Sequence, residues 1–128
     1  MAGEIIRRGK EKLKLTHVKK AEEVLEGFVE GAALTERLLK VLEMAKNVPV
    51  GKAPSFEEAL YALDHQVQVI IDPEHTGLYY EGMSDQQLDK AIKEIRESAV
   101  GAVKRLLKEI EDAHARGDIP LEKGEETE

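Results

Sequence analysis

The fold is decided by residues 84–117, SDQQLDKAIKEIRESAVGAVKRLLKEIEDAHARG. Ser84 and Gln87 have the spacing of a capping box, in which two side chains satisfy free N–H groups at a helix start. Gly117 and Pro120 are typical of a helix end. We therefore predict a helix over residues 85–115. Between these signals the apolar residues recur at helical spacing: Leu88, Ile92, Ile95, Ala99, Ala102, Leu106, Ile110 and Ala113.

A second helical pattern covers residues 18–46, and we predict one long amphipathic helix that ends at Asn47 in a left-handed cap. Gly27 and Gly31 lie four residues apart within it, which favours close packing of another helix backbone. The alternative is a kink or break near Gly31. The apolar stripe contains Val18, Ala21, Leu25, Phe28, Ala32, Leu39 and Leu42, and it is widened by Val24, Leu34, Leu38, Val41 and Ala45.

A third pattern starts at Ser55, where Glu58 completes the spacing of a second capping box, and Pro73 ends it at Asp72. Residues 66–71 alternate like a strand, but no partner strand is present elsewhere. The predicted fold class is all-α, an up-and-down bundle of two long helices plus one or two short ones. Residues 4–15 are the candidate for the additional short helix. The third stripe contains Phe56, Ala59, Leu60, Leu63, Val67 and Ile70.

The lengths of the predicted helices and the width of their apolar faces predict that the chain assembles with a second chain. Helices over 18–46 and 85–115 would each be about 45 Å long, whereas a small domain is about 30 Å across. Val100, Val103 and Leu107 add a second apolar edge to the last helix. A homodimer is the simplest cover for these faces, although another protein partner would also serve.

Charge divides the chain into a predicted basic N-terminal arm or short helix at 1–17, a helical bundle domain at 18–117 and a disordered acidic tail at 118–128. Residues 1–20 have a formal charge of +5, so the remainder must sum to −12 for the total of −7. Nucleic acid is therefore repelled except at the arm. A nucleic-acid accessory subunit is one functional hypothesis, with these contact residues: Arg7, Arg8, Lys10, Lys12 and Lys14.

Aromatic and ionisable residues gather around the end of the third helical pattern. Histidine with carboxylate suits proton transfer or metal binding, and tyrosines suit stacking on a ligand or contact with a partner. The alternative is that the tyrosines close the end of the bundle and that the polar residues form a solvated face. The candidate binding residues are Tyr61, His65, Asp72, His75, Tyr79 and Tyr80.

Glu22, Glu23 and Glu26 read E-E-x-x-E. This resembles the first half of the magnesium-binding motif of the all-helical MazG-type nucleotide pyrophosphohydrolases. The resemblance implies a divalent metal and an enzyme acting on phosphorylated small molecules. The family's second half, E-x-x-D, is absent from the next helix, and that spacing occurs only at Glu109 and Asp112. A solvated helix face is the alternative reading.

Gly51 and Lys52 precede the third helical pattern, and a lysine beside a helix N-terminus can hold an anion. The loop is not a Walker A motif, because Ala53 follows the lysine and the upstream glycine is missing. A plain connector is the alternative.

Composition narrows the function further. The chain has 128 residues and no cysteine, which excludes disulfides and thiolate sites and favours a cytoplasmic location. No signal peptide or membrane-spanning stretch is predicted. Abundant charge with a single asparagine favours a thermophilic source. We expect a non-catalytic, homo-oligomeric binding or assembly subunit without a cofactor.

Overall fold

The computed structural model of this chain describes residues 13–49, 51–73 and 82–120. These residues form four helices and no strand: α1 (Leu15–Leu25), α2 (Gly31–Lys46), α3 (Pro54–Ile71) and α4 (Asp85–Ala115). The all-α prediction is confirmed. Residues 4–12 of the predicted short N-terminal helix lie outside the described residues, and α1 begins within the segment assigned to the arm.

Each helix packs against two others. α1 contacts α2 and α3, and α4 contacts α3 and α2. No close backbone contact joins α1 to α4 in the described part of the chain. The centre between the helices is apolar, with these large side chains almost fully buried: Leu25, Leu34, Leu38, Leu63, Ile70 and Leu107. No helix among the described residues is long and apolar enough to cross a membrane.

The predicted single helix over 18–46 is wrong, because the helix is interrupted between Leu25 and Gly31. Glu30 adopts a left-handed conformation with φ of 65°. Gly31 begins α2 directly against the last residue of α1, where a methyl group on Gly31 would overlap the Leu25 carbonyl. The alternative reading of a break near Gly31 is therefore the correct one.

The interruption replaces one long helix with two short ones and changes which residues of the second one are buried. α1 has 11 residues and α2 has 16, so only the 31-residue α4 is long and the expectation of two long helices is wrong. On α2 the buried residues include Leu34, Leu38 and Val41, which were predicted only to widen the stripe, whereas Ala32 of its central row is exposed. Five non-helical residues between α1 and α2 reset the register of the side chains.

The observed helix ends show which of the predicted capping residues were correct. Ser84 and Gln87 form both bonds of the predicted capping box, at 3.1 and 2.9 Å, and Gly117 has a positive φ of 79°. The Ser55 capping box is wrong, because α3 begins at Pro54 with Ala53 as the N-cap, two residues earlier than predicted. Proline suits the first helical position, where no N–H is needed. The left-handed cap at Asn47 is also wrong, since its φ is −103°.

These two serines provide a matched pair of substitutions. Ser84→Ala is expected to lower the free energy of unfolding by about 1 kcal/mol, because the cap bond is lost. Ser55→Ala should change it by less than about 0.5 kcal/mol, as for ordinary surface positions. Urea unfolding followed by circular dichroism measures both. Equal effects of the two substitutions would contradict the assigned start of α3.

Two arginines tie neighbouring helices together. Arg96 of α4 donates to the carbonyl oxygens of Ile70 and Ile71, at 2.8 and 3.3 Å, and so satisfies acceptors at the end of α3. Arg37 of α2 donates two hydrogen bonds to Glu111 of α4, at 2.8 and 2.9 Å. The hydrogen bonding of Arg37 to the Glu111 carboxylate raises the pKa of Arg37 above its ordinary value. Both contacts fix the position of α4.

Candidate functional site

The aromatic and ionisable cluster predicted around the end of α3 is described only in part. Tyr61 and His65 lie on the exposed side of α3, Tyr61 is 41% exposed, and Asp72 is the exposed C-cap residue that follows the helix. None of these three residues lines either of the two clefts beside α4 that are described below. His75, Tyr79 and Tyr80 fall outside the described residues, so their part in a binding site stays a prediction.

Asp64, a neighbour of this cluster, was missed by the sequence analysis. Its side chain is buried and accepts a backbone hydrogen bond from Lys14 at 3.0 Å and a side-chain bond from Gln68 at 2.7 Å. The imidazole of His17 lies beside it, with Nδ1 2.9 and 3.1 Å from the two carboxylate oxygens. Lys14 is the N-cap residue of α1 and makes no side-chain cap bond of its own. Asp64 therefore caps α1 from α3.

One signal could have drawn attention to Asp64. It lies on the buried side of α3 between Leu63 and Val67, and a buried carboxylate needs hydrogen-bond partners. Its partners Lys14 and His17 are 50 and 47 residues away in sequence. Neither partner follows from a local pattern.

Glu22, Glu23 and Glu26 lie at the end of α1, where Glu22 is partly buried and the other two are exposed. Glu26 is the C-cap residue of the helix. Nowhere in residues 13–49, 51–73 and 82–120 do three or more potential metal ligands of the His, Cys, Asp and Glu types converge. The described geometry offers no second half for the motif.

The basic arm enters the described part of the chain only at its last residues. Arg7, Arg8, Lys10 and Lys12 lie outside that part. Lys14 is partly buried, and its backbone N–H is bound to Asp64. Nucleic-acid binding by the arm stays a prediction.

The two halves of α4 differ in their environment. Val100, Val103 and Leu107, the edge predicted to need a partner chain, are buried within this chain, so that step of the dimer argument is wrong. Residues 85–98 include no buried side chain. Leu88, Ile92 and Ile95 of the predicted stripe lie in this half and are only partly covered. The partly covered apolar face of α4 is therefore on its N-terminal half.

A groove of about 600 Å³ lies beside this half, between the end of α1 and α4, and we call it the α1–α4 groove. Val24, Phe28 and Val29 form its apolar side, and Ile92 faces them from α4. Val29 is 85% exposed. The charged residues along the α4 side are Asp89, Lys93, Arg96 and Glu97.

A second cleft of about 430 Å³ lies between the start of α3 and the end of α4, and we call it the end cleft. Its apolar lining includes Phe56, Ile110 and Ile119. Lys52, which the sequence analysis considered as an anion contact, lies at this cleft. The geometry thus presents two concave surfaces, one beside each half of α4.

No protein-family model matches this chain, and no curated protein or solved structure is significantly similar to it. The MazG-type resemblance of Glu22, Glu23 and Glu26 remains a hypothesis on those residues alone. The metal-dependent enzyme that it implies stays a prediction. Function is therefore inferred from the geometry of the two concave surfaces.

Proposed function

We propose that the protein is a non-catalytic binding or assembly subunit that forms a homodimer through the α1–α4 groove and the N-terminal half of α4. The exposed apolar surface of Val29 and the partly covered Ile92 carry this proposal. Removing apolar area from water stabilises a complex by roughly 25 cal/mol per Å² before the cost of association. A second copy supplies the same apolar face and covers both grooves at once. The cysteine-free composition supports a cytoplasmic setting for the dimer.

The charge pattern of α4 favours a second copy as the occupant. Asp89, Lys93 and Glu97 alternate in sign at intervals of four residues, which places them along one side of the helix. Two α4 helices that run antiparallel and cross near Ile95 would place each Lys93 beside Glu97 of the second copy. Opposite charges at the rim guide orientation and disfavour other alignments.

The test compares two apolar surfaces of similar chemistry. The double substitution Val29→Lys with Ile92→Lys is expected to weaken dimerisation at least about tenfold, because it buries like charges at a two-fold interface. Leu15→Lys alters another exposed aliphatic residue, 51% exposed and outside the groove, and should leave the dimer intact. Sedimentation equilibrium measures the dissociation constants, and circular dichroism checks the fold.

A wild-type protein that stays monomeric up to its solubility limit would refute the dimer. Equal weakening by Leu15→Lys and by the double substitution would refute the groove as its location. Retention of the wild-type dimer by the double variant would do the same.

A further inference from the structure

The end cleft has a preformed apolar wall. Phe56 of α3, Ile110 of α4 and Ile119 after α4 are 5%, 3% and 8% exposed, so the core holds them in place. The volume of about 430 Å³ falls within the range of small-molecule sites. Ala59 and Ala113 also line the cleft, and their small side chains leave its space open.

The polar rim of the cleft is asymmetric. Arg116 donates to Asp118 at 2.9 Å, so these two charges largely neutralise each other. Glu109 contributes a further carboxylate from the α4 wall. On the opposite side lie Lys52 and the hydroxyl of Ser55, and Lys52 has no ion-pair partner in the described part of the chain. The rim thus offers an anion one favourable side.

We propose that the end cleft binds a small monocarboxylate with an apolar body. The carboxylate pairs with the Lys52 ammonium and accepts from the Ser55 hydroxyl, and the apolar body contacts Phe56 and Ile110. Glu109 repels an anion from the α4 wall and so fixes the orientation of the ligand. An aliphatic chain of a few carbons or a single ring matches the size of the cleft. This site is separate from the proposed dimer surface.

Isothermal titration calorimetry of the full chain tests the ligand class with hexanoate and phenylacetate as probes. Hexanol and hexylamine serve as neutral and cationic counterparts of hexanoate. We expect one saturable site per chain and tighter binding of hexanoate than of either counterpart. No saturable binding of either carboxylate in the millimolar range would overturn the proposal. Tighter binding of hexylamine or equal binding of hexanol would also overturn it.

Variants test the location. Lys52→Met removes the charge but keeps the chain length, and it should weaken hexanoate binding about fivefold. Ala113→Leu and Ala59→Leu fill the cleft from opposite walls, and either variant that folds should lose binding. Lys40→Met, on the exposed side of α2, is the control and should bind like the wild type. Wild-type affinity in Lys52→Met or in a folded leucine variant would refute the assignment.

Discussion

Gly31→Ala is expected to lower the free energy of unfolding by about 3 kcal/mol, the upper part of the range for overpacked sites. The added methyl carbon would overlap the carbonyl carbon and oxygen of Leu25. These are backbone atoms at the end of α1, and the same oxygen accepts the hydrogen bond from Phe28 at 2.8 Å. Relief of the overlap therefore requires the turn between α1 and α2 to open.

Gly27→Ala provides the matched control in the same turn. A methyl group there would lie 3.6 Å from the Val24 carbonyl oxygen, which is ordinary van der Waals contact. Because alanine restricts the unfolded chain, stability should rise by about 0.5 kcal/mol. Urea unfolding of both variants at one fixed protein concentration gives the comparison. Similar effects of the two substitutions would show that the close approach of Gly31 to Leu25 is not formed.

Asp64→Ala is expected to lower the free energy of unfolding by about 3 kcal/mol, because partly buried donors lose their shared, buried acceptor. The N–H of Lys14 and the amide of Gln68 would be left without it, and His17 would lose its carboxylate partner. The start of α1 would lose its cap at the same time. Chemical unfolding measures the total loss, and hydrogen exchange at the Lys14 amide reports on the cap itself.

Glu58→Ala is the control for this second substitution, since Glu58 is an exposed carboxylate on the same helix. Its effect should stay within about 0.5 kcal/mol. Exchange at the Lys14 amide should be faster in Asp64→Ala and unchanged in Glu58→Ala. If both variants were equally stable, the hydrogen bonds to Asp64 would contribute nothing to the fold.

Local sequence signals predict the ends of a helix well where the stabilising contacts join residues that are close in sequence. The start of α4 depends on Ser84 and Gln87, and its end on Gly117, and each of these residues acts within a few residues of its own helix end. The same serine pattern failed at Ser55, because Pro54 occupies the first helical position and α3 starts two residues earlier than the pattern predicts. Both alternatives satisfy local rules, so the pattern alone does not separate them.

The break between α1 and α2 illustrates what periodicity misses. Apolar residues continue at helical spacing through Leu25 and Phe28, so the pattern gives no sign of a stop. The turn depends on a left-handed Glu30, a conformation uncommon for a residue other than glycine. The spacing of Gly27 and Gly31 predicts a close backbone contact, but the backbone that Gly31 contacts is the end of the helix directly before it in the chain.

The candidate sites were predictable to a similar extent. Helical spacing places Tyr61 and His65 on one side of α3, whereas Asp72 follows the helix as its C-cap residue in an extended conformation. Lys52 was identified as a candidate contact, but the cleft beside it depends on Ile110 and Ile119, far along the chain. A surface formed by segments that are distant in sequence can be identified only once their packing is known.

The cap that Asp64 gives to α1 sets an order of events during folding. α1 has 11 residues, and isolated helices shorter than about 12–15 residues are marginal in water. Its start is completed by a side chain 50 residues later in the chain. The helix that leaves the ribosome before the other three can therefore complete its N-terminal cap only after α3 has been synthesised and has packed against it.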